Sequence, residues 1–368
     1  MCRHACPVFL ATKIDANTPR GHALLISKID ENMLDWSEDI IDKVYQCSLC
    51  SLCKELCEFH WEEDTLIQKT RETIVAIGRA PDYVKKIASL LISQGTAFGE
   101  LQKELSIHGI NKKRNHTEVL YFAGNTALCY YPEIIEITGM MLNSMGINWC
   151  MLDREESTGI ELSELGYSTE AIVAAKNLAE KISKINPEII ITGNPHAYKA
   201  FKELYPRWGI KKLCNIKIYH IAEYLNAKVQ EGKLKLKRSW NLSGISYHDP
   251  CQLGRNMGIF DAPRELIKTI SGNSPIELFH NRSEAECCGA GSVMHLTNPY
   301  IALKTARKRI ENALEEGSKI IVTACHNCKR ILTEASKNLN AGIKVLDMVE
   351  LISFNGSDKI STIKKGKN

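Results

Sequence analysis

The chain has 368 residues, of which 44% are hydrophobic and 24% charged, and its formal net charge is +4. This length predicts two or three domains, and the composition is that of an ordinary soluble globular protein. The slight charge indicates neither a nucleic-acid groove nor a membrane patch, no apolar run approaches the ~20 residues that span a bilayer, and the N-terminus lacks the apolar core of a secretory signal.

Cysteine is the unusual residue, with 14 copies. We expect a cytoplasmic protein, attached at most peripherally to the inner face of a membrane through a partner. Thiols stay reduced in that compartment, so clustered cysteines indicate metal binding rather than disulfides. Cys129, Cys150 and Cys214 lie singly among apolar residues and are predicted to be small buried hydrophobes.

The chain begins with half of a metal motif. Cys2, Cys6 and Pro7 match the last two cysteines and the proline of the bacterial iron–sulfur run C-x2-C-x2-C-x3-C-P, whose first two cysteines would precede Met1. Three explanations remain open: the true start lies upstream, Cys2 and Cys57 are relics of a lost cluster, or other groups complete the cluster that they would bind.

A complete run follows at residues 47–57, "CSLCSLCKELC". In two-cluster ferredoxins the fourth cysteine of each run binds the other cluster. Cys6 is therefore predicted to complete a cubane [4Fe-4S] cluster whose other three ligands are Cys47, Cys50 and Cys53. Cys2 and Cys57 would serve a second, incomplete cluster. The alternative is a zinc site with four cysteines, but zinc usually binds paired knuckles rather than a triplet.

Helical spacing of apolar residues marks "SEDIIDKVYQ" (37–46) and "DYVKKIASLLISQ" (82–94), which predicts a helical ferredoxin-like domain over residues 1–104. A polar linker is predicted at 105–117. Two copies of an internal repeat follow, at 118–240 and 241–355, and a basic tail at 356–368 ends the chain. Each copy alternates β-branched runs with helical patterns, so we expect two α/β domains with parallel sheets.

The second copy carries "HDPCQLGR" (248–255), "CCGAG" (287–291) and "CHNC" (325–328). Two of these segments follow β-runs, so their cysteines are expected to converge at the carboxyl edge of a parallel sheet. Five thiolates exceed the four that tetrahedral zinc accepts, which favours a cluster of several iron atoms. The predicted ligands are Cys251, Cys287, Cys288, Cys325 and Cys328.

The first copy has no such ligands. Asn125, Ser157, Thr158, Asn194 and Ala197 occupy the matching positions, and none of these side chains is a soft ligand. This copy is therefore predicted to keep the fold without a cluster. Among nearby histidines, His196 is expected to cap or pack, and His326 to be exposed to solvent.

Together these motifs resemble the cysteine-rich CCG domain of heterodisulfide reductase and its relatives. The chain to about residue 352 also resembles the iron–sulfur subunits of glycolate oxidase and anaerobic glycerol-3-phosphate dehydrogenase. The resemblance implies a non-cubane [4Fe-4S] cluster, or zinc in some relatives, on the five C-terminal cysteines. A second cubane is implied only if the N-terminus is extended.

Three functions follow as hypotheses. The first is an electron-transfer subunit, in which case the resemblance implies an FAD-linked flavoprotein partner acting on a hydroxy acid or glycerol phosphate, with a further electron carrier or membrane subunit beyond it. The second is a thiol/disulfide reductase whose CCG cluster is catalytic. The third is a zinc-binding assembly module. The sequence does not identify a catalytic residue.

Overall fold

A computed structural model describes residues 2–98, 117–238 and 243–353. The predicted linker, apart from Thr117, and almost all of the predicted tail lie outside these ranges. Within them, no helix combines the length and apolar character needed to cross a membrane.

The N-terminal part is helical, and its helices start where the sequence provides caps. Ser37 accepts a hydrogen bond from Ile40 N at 3.3 Å, and Thr18 accepts one from Gly21 N at 3.0 Å, as N-cap side chains do. The helices are α1 (Cys2–Ala5), α2 (Pro7–Thr12), α3 (Pro19–Asp30), α4 (Glu38–Tyr45), α5 (Leu52–Glu55), α6 (Glu63–Ala76) and α7 (Asp82–Gln94).

The second part is an α/β unit with a four-stranded parallel sheet. Its strands are short, and β1 is buried throughout because helices cover both faces. The elements are β1 (Val119–Phe122), α8 (Asn125–Tyr130), α9 (Pro132–Ser144), β2 (Trp149–Cys150), α10 (Ile160–Glu164), α11 (Ser168–Ile185), β3 (Ile189–Thr192), α12 (Pro195–Lys199), α13 (Tyr205–Arg207), β4 (Lys217–His220) and α14 (Ile221–Gln230).

The third part is another α/β unit, built on a second parallel sheet of four strands. Its elements are β5 (Ile245–His248), α15 (Asp261–Ser271), β6 (Ile276–Glu277), α16 (Met294–Thr297), α17 (Pro299–Glu315), β7 (Ile320–Thr323), α18 (His326–Asn338), β8 (Lys344–Asp347) and α19 (Met348–Ser353). The predicted combination of a helical N-terminal part with parallel α/β sheets is confirmed.

The two sheets have the same strand order, β2-β1-β3-β4 and β6-β5-β7-β8. Their carboxyl edges face each other. Thr126, just after β1, donates a hydrogen bond to Asn327 Oδ1, just after β7, at 2.5 Å. A shared hydrophobic core that includes Tyr121, Ile191 and Tyr247 joins the two units. The loops that follow the central strands of both sheets therefore meet in the middle of the molecule.

Candidate metal centre

Cys6 lies beside the Cys47–Cys53 loop. The four cysteines Cys6, Cys47, Cys50 and Cys53 line one cavity of about 400 Å³. Cys6 is the N-cap of α2, where its Sγ accepts from Phe9 N at 3.4 Å. The geometry thus brings together the four thiols that the sequence assigns to one cluster, and soft thiolate donors suit iron–sulfur clusters.

The cysteine loop is held from behind by Arg71, which sequence reasoning missed. This guanidinium is 1% exposed and donates to Val44 O at 2.9 Å and Cys47 O at 2.7 Å. Leu49 and Ser51 in the loop have positive φ angles, 50° and 59°. Such left-handed residues are uncommon outside glycine and turn the loop around the cavity.

Burial keeps these thiols protonated when no cation is bound. It raises the pKa of Cys6 to about 12 and raises the pKa values of Cys47 and Cys53 further above the ordinary thiol value. Metal binding must therefore release protons, as it does at other thiolate sites.

Cys2 and Cys57 do not line this cavity. Both are half-buried, and Cys57 is followed by exposed aromatic side chains: Phe59 is 90% exposed and Trp61 54%. His60 is exposed as well. Shielding of a cluster by His60 and Trp61, which the sequence allowed, does not occur at this cavity.

The five C-terminal cysteines are all buried. The Sγ atoms of Cys288 and Cys328 lie 3.2 Å apart, and the Cys251 and Cys287 thiols share a hydrogen bond. A cavity of about 240 Å³ at the carboxyl edge of the second sheet is lined by four of the five, Cys251, Cys288, Cys325 and Cys328.

Hydrogen bonds among these thiols shift their pKa values apart. Donation from Cys287 and Cys328 lowers the pKa of Cys288 to about 5. Hydrogen bonding with Cys328 also lowers the pKa of Cys325, the N-cap residue of α18. The arrangement therefore favours negative charge on two of the sulfurs, which is what metal ligation requires.

The two cysteine sets adjoin. Cys50 and Cys287 share a hydrogen bond, and Arg255 crosses the same boundary by donating to Cys50 O at 2.8 Å and Ala285 O at 3.0 Å. Sequence reasoning offered Arg255 as a counter-charge or a surface ion pair. The structure instead shows it tying the two loops together through backbone carbonyls.

His248 ends strand β5 and is fully buried. One of its ring nitrogens lies within 4.8 Å of the Cys288 and Cys328 sulfurs. Burial lowers the pKa of His248 to about 3, so the ring is neutral. The adjacent Asp249 points elsewhere and accepts two hydrogen bonds from Arg264, at 2.7 and 2.8 Å.

The corresponding edge of the first sheet is filled by protein groups. Glu155 accepts from the backbone nitrogens of Ala123 and Gly124 at 2.9 and 2.7 Å. The carbonyl of Gly95, at the end of α7, accepts from Ser157 N at 2.6 Å and Asn125 Nδ2 at 3.2 Å. Local hydrogen bonds thus take up polar groups at this edge.

Three single-residue expectations are corrected. His326 is buried, not exposed, because its ring packs against Gly193 of the other α/β unit. His196 does more than pack within its own unit, since it lines the cysteine cavity and an adjoining cavity of about 460 Å³ between the sheets. Cys214 is exposed, in the segment that leads to β4, and Cys129 is only half-buried.

Two sequence families match the chain. The 4Fe-4S dicluster domain matches residues 1–61, and the cysteine-rich domain designated CCG matches residues 245–333. These are the parts of the fold that hold the two cysteine sets. The chain thus carries an N-terminal iron–sulfur domain and a C-terminal CCG domain, a combination of the iron–sulfur oxidoreductase class.

Its relatives are proteins of that class. It is 28% identical to a subunit of dihydromethanophenazine:CoB–CoM heterodisulfide reductase from Methanosarcina barkeri, over 86% of this chain and 78% of that one. It is 27% identical to EtfAB:quinone oxidoreductase of Syntrophomonas wolfei, over 92% and 50% of the two chains, and 26% identical to the probable iron–sulfur-binding oxidoreductase FadF of Bacillus subtilis, over 87% and 48%. The predicted likeness to heterodisulfide reductase is confirmed.

The fold has a counterpart among solved structures. A hypothetical protein from Helicobacter pylori matches 93% of this chain and 68% of its own with a TM-score of 0.61, at 12% sequence identity. At that identity the likeness concerns the fold alone.

Proposed function

We propose that this protein is an iron–sulfur electron-transfer subunit of an oxidoreductase. Residues 1–104 would bind a cubane [4Fe-4S] cluster through Cys6, Cys47, Cys50 and Cys53. Residues 241–355 would bind a second cluster through the five C-terminal cysteines, and residues 118–240 would be a repeat of that domain without a cluster. Such clusters, when bound, carry single electrons.

One observation carries the proposal: Cys50 and Cys287, one from each ligand set, share a hydrogen bond. Two clusters held on these residues would be separated by little more than their own ligands. The surrounding side chains are buried, and burial and hydrogen bonds to sulfur are the means by which proteins set cluster potentials. The chain therefore offers a short internal path for electrons.

The partner proposed for this path is a flavoprotein with FAD, of the hydroxy-acid or glycerol-phosphate dehydrogenase type. A further electron carrier or membrane subunit would take the electrons onward, and the protein would act in the cytoplasm or at the inner membrane face. Relatives named as one part of a heterodisulfide reductase and as a quinone oxidoreductase support work within an electron-transfer assembly.

The test is metal analysis and EPR spectroscopy after anaerobic purification. We expect about four to eight iron atoms per chain. We also expect that full reduction broadens or splits the EPR signals through magnetic coupling between neighbouring clusters, and that partial reduction, when only one cluster is reduced, does not. Stoichiometric zinc with almost no iron would reject the proposal in favour of the assembly module, and two uncoupled clusters would reject the internal path.

A second candidate is a thiol/disulfide reductase, and it is favoured by the cavity arrangement. The cysteine cavity and the 460 Å³ cavity between the sheets share His196, Ala290 and Asn327 as walls. A small molecule in the larger cavity would lie next to the C-terminal cysteines. If a reduced sample is reoxidised by an organic disulfide and the spectrum of the C-terminal cluster changes on binding, this candidate is preferred.

A further inference from the structure

The His248 ring has one nitrogen engaged and one free. Arg309 Nε donates to His248 Nδ1 at 3.4 Å. A guanidinium has only donors, so Nδ1 must accept and the ring proton of the neutral imidazole must sit on Nε2. Within the described residues, Nε2 is buried and has no hydrogen-bond partner.

The Arg309 side chain is itself fixed. It is fully buried and donates to Phe279 O at 2.6 Å and His280 O at 2.9 Å. Its contact with His248 is therefore set by the fold and does not depend on a mobile surface side chain. A buried N–H without an acceptor is costly, which calls for an acceptor at this place.

Sulfur is the acceptor within reach. A ring nitrogen of His248 and the sulfurs of Cys288 and Cys328 all lie within 4.8 Å of one another. We propose that His248 Nε2–H donates a hydrogen bond to a sulfur of the cluster held by the C-terminal cysteines, with Arg309 fixing the tautomer. His248 would then be a positioning residue that tunes this cluster rather than a ligand of it. This inference rests on the proposed function.

The direction of its effect follows from charge. A donor aimed at sulfur stabilises the more negative, reduced cluster, so it raises the midpoint potential. Removal of the donor should make the potential more negative. Phe122 ends strand β1 as His248 ends strand β5, so an aromatic ring without a donor is tolerated at the matching place of the other sheet.

The experiment compares holoprotein carrying His248, His248→Gln or His248→Phe, with His60→Phe as a control at an exposed histidine. Iron content and EPR-monitored midpoint potentials are measured for each. We expect an unchanged iron content, a more negative potential of the C-terminal cluster in His248→Phe, a smaller shift in His248→Gln, which keeps an N–H donor, and no shift in the control. A wild-type potential in an iron-replete His248→Phe protein would overturn the inference.

Pulsed EPR on wild-type protein with ¹⁵N-labelled histidine gives an answer even if the variants lose the cluster. A hydrogen bond predicts weak nitrogen coupling together with an exchangeable proton near the cluster. Strong coupling would show direct ligation, and no coupling would show no contact; either result contradicts the inference. If wild-type protein binds no iron at all, the proposed function fails instead.

Discussion

The thiols of Cys50 and Cys287 are hydrogen-bonded to each other, although they belong to different domains and to different predicted ligand sets. Cys50 also lines the cavity of the N-terminal set with Cys6. A residue that takes part in both neighbourhoods makes the two sites a single redox unit in the proposed function. Substitutions at a few positions can separate the parts of that unit.

Replacing Cys6 should remove one cluster only. Cys6→Ala deletes the ligand that the crossed pattern assigns to the cubane, and we expect the loss of about four iron atoms together with the corresponding EPR signal. The signal of the C-terminal cluster should persist in uncoupled form. The measurement is iron content with EPR of dithionite-reduced protein.

Cys57→Ala is the matched control for that experiment. Cys57 closes the same sequence run but lies outside the cavity lined by Cys6, so both clusters should survive its loss. If Cys57→Ala removes the cubane and Cys6→Ala leaves it unchanged, the crossed assignment is wrong.

Gly291→Ala should push the two loops apart. A Cβ at Gly291 would come within 2.4 Å of Ser48 O, so the backbone of one loop must shift. We expect normal iron content but weaker magnetic coupling between the two reduced clusters. Gly317→Ala is the control, because its Cβ would meet nothing within 4 Å although its φ of 73° is strained. Equal coupling in wild type and Gly291→Ala would show that this contact does not set the spacing.

Arg71→Met should destabilise the junction of all three parts. Besides the carbonyls of α4 and the cysteine loop, Arg71 donates to Glu164 O at 2.7 Å and Ser292 Oγ at 2.5 Å. Leaving buried acceptors unpaired costs roughly 1–3 kcal/mol each, so a loss of about 3 kcal/mol is expected. The urea midpoint of the holoprotein measures this loss. The exposed Arg79, which donates only to Trp36 O, supplies the control Arg79→Met, for which the midpoint should hardly move.

Glu155 should make stability fall with rising pH. Burial raises its folded pKa to about 7, above the ordinary carboxyl value of 4.5. Between those values the folded state holds a proton that the unfolded state has lost, so unfolding becomes easier by about 1.4 kcal/mol per pH unit for this group, and the effect ends above pH 7. Glu155→Gln should therefore show a smaller loss of stability from pH 6 to pH 8 than wild type. Parallel unfolding curves at the two pH values for both proteins would contradict this.

The ligand residues were accessible to sequence reasoning because metal chemistry limits both residue type and spacing. The triplet of cysteines at 47–53 and the C-terminal motifs require thiolates at fixed intervals, and the β-branched runs before them predict strands whose carboxyl edges meet. The placement of Cys6 beside the Cys47 loop followed from the crossed pattern of ferredoxin runs. Local pattern was enough for each of these predictions.

Relations between distant segments had no such signal. Arg71 and Arg309 look like ordinary charged residues of amphipathic helices, yet both are buried and hold carbonyls or a ring from other elements. His326 was expected at the surface because its neighbours in sequence do not reveal that Gly193 packs against it. Burial of a polar side chain depends on what the rest of the fold brings to it, which a local window does not contain.

The sequence by itself determined which thiols bind metal and which sheet edge carries them, because ligand spacing and strand pattern are local properties. Only the tertiary structure decided that the two sites adjoin through Cys50 and Cys287, that the edge of the first sheet is filled by Glu155, and that His248 faces the cysteines with one nitrogen free. These are contacts between segments far apart in the chain, fixed by the packing of two sheets and a helical domain around a common centre.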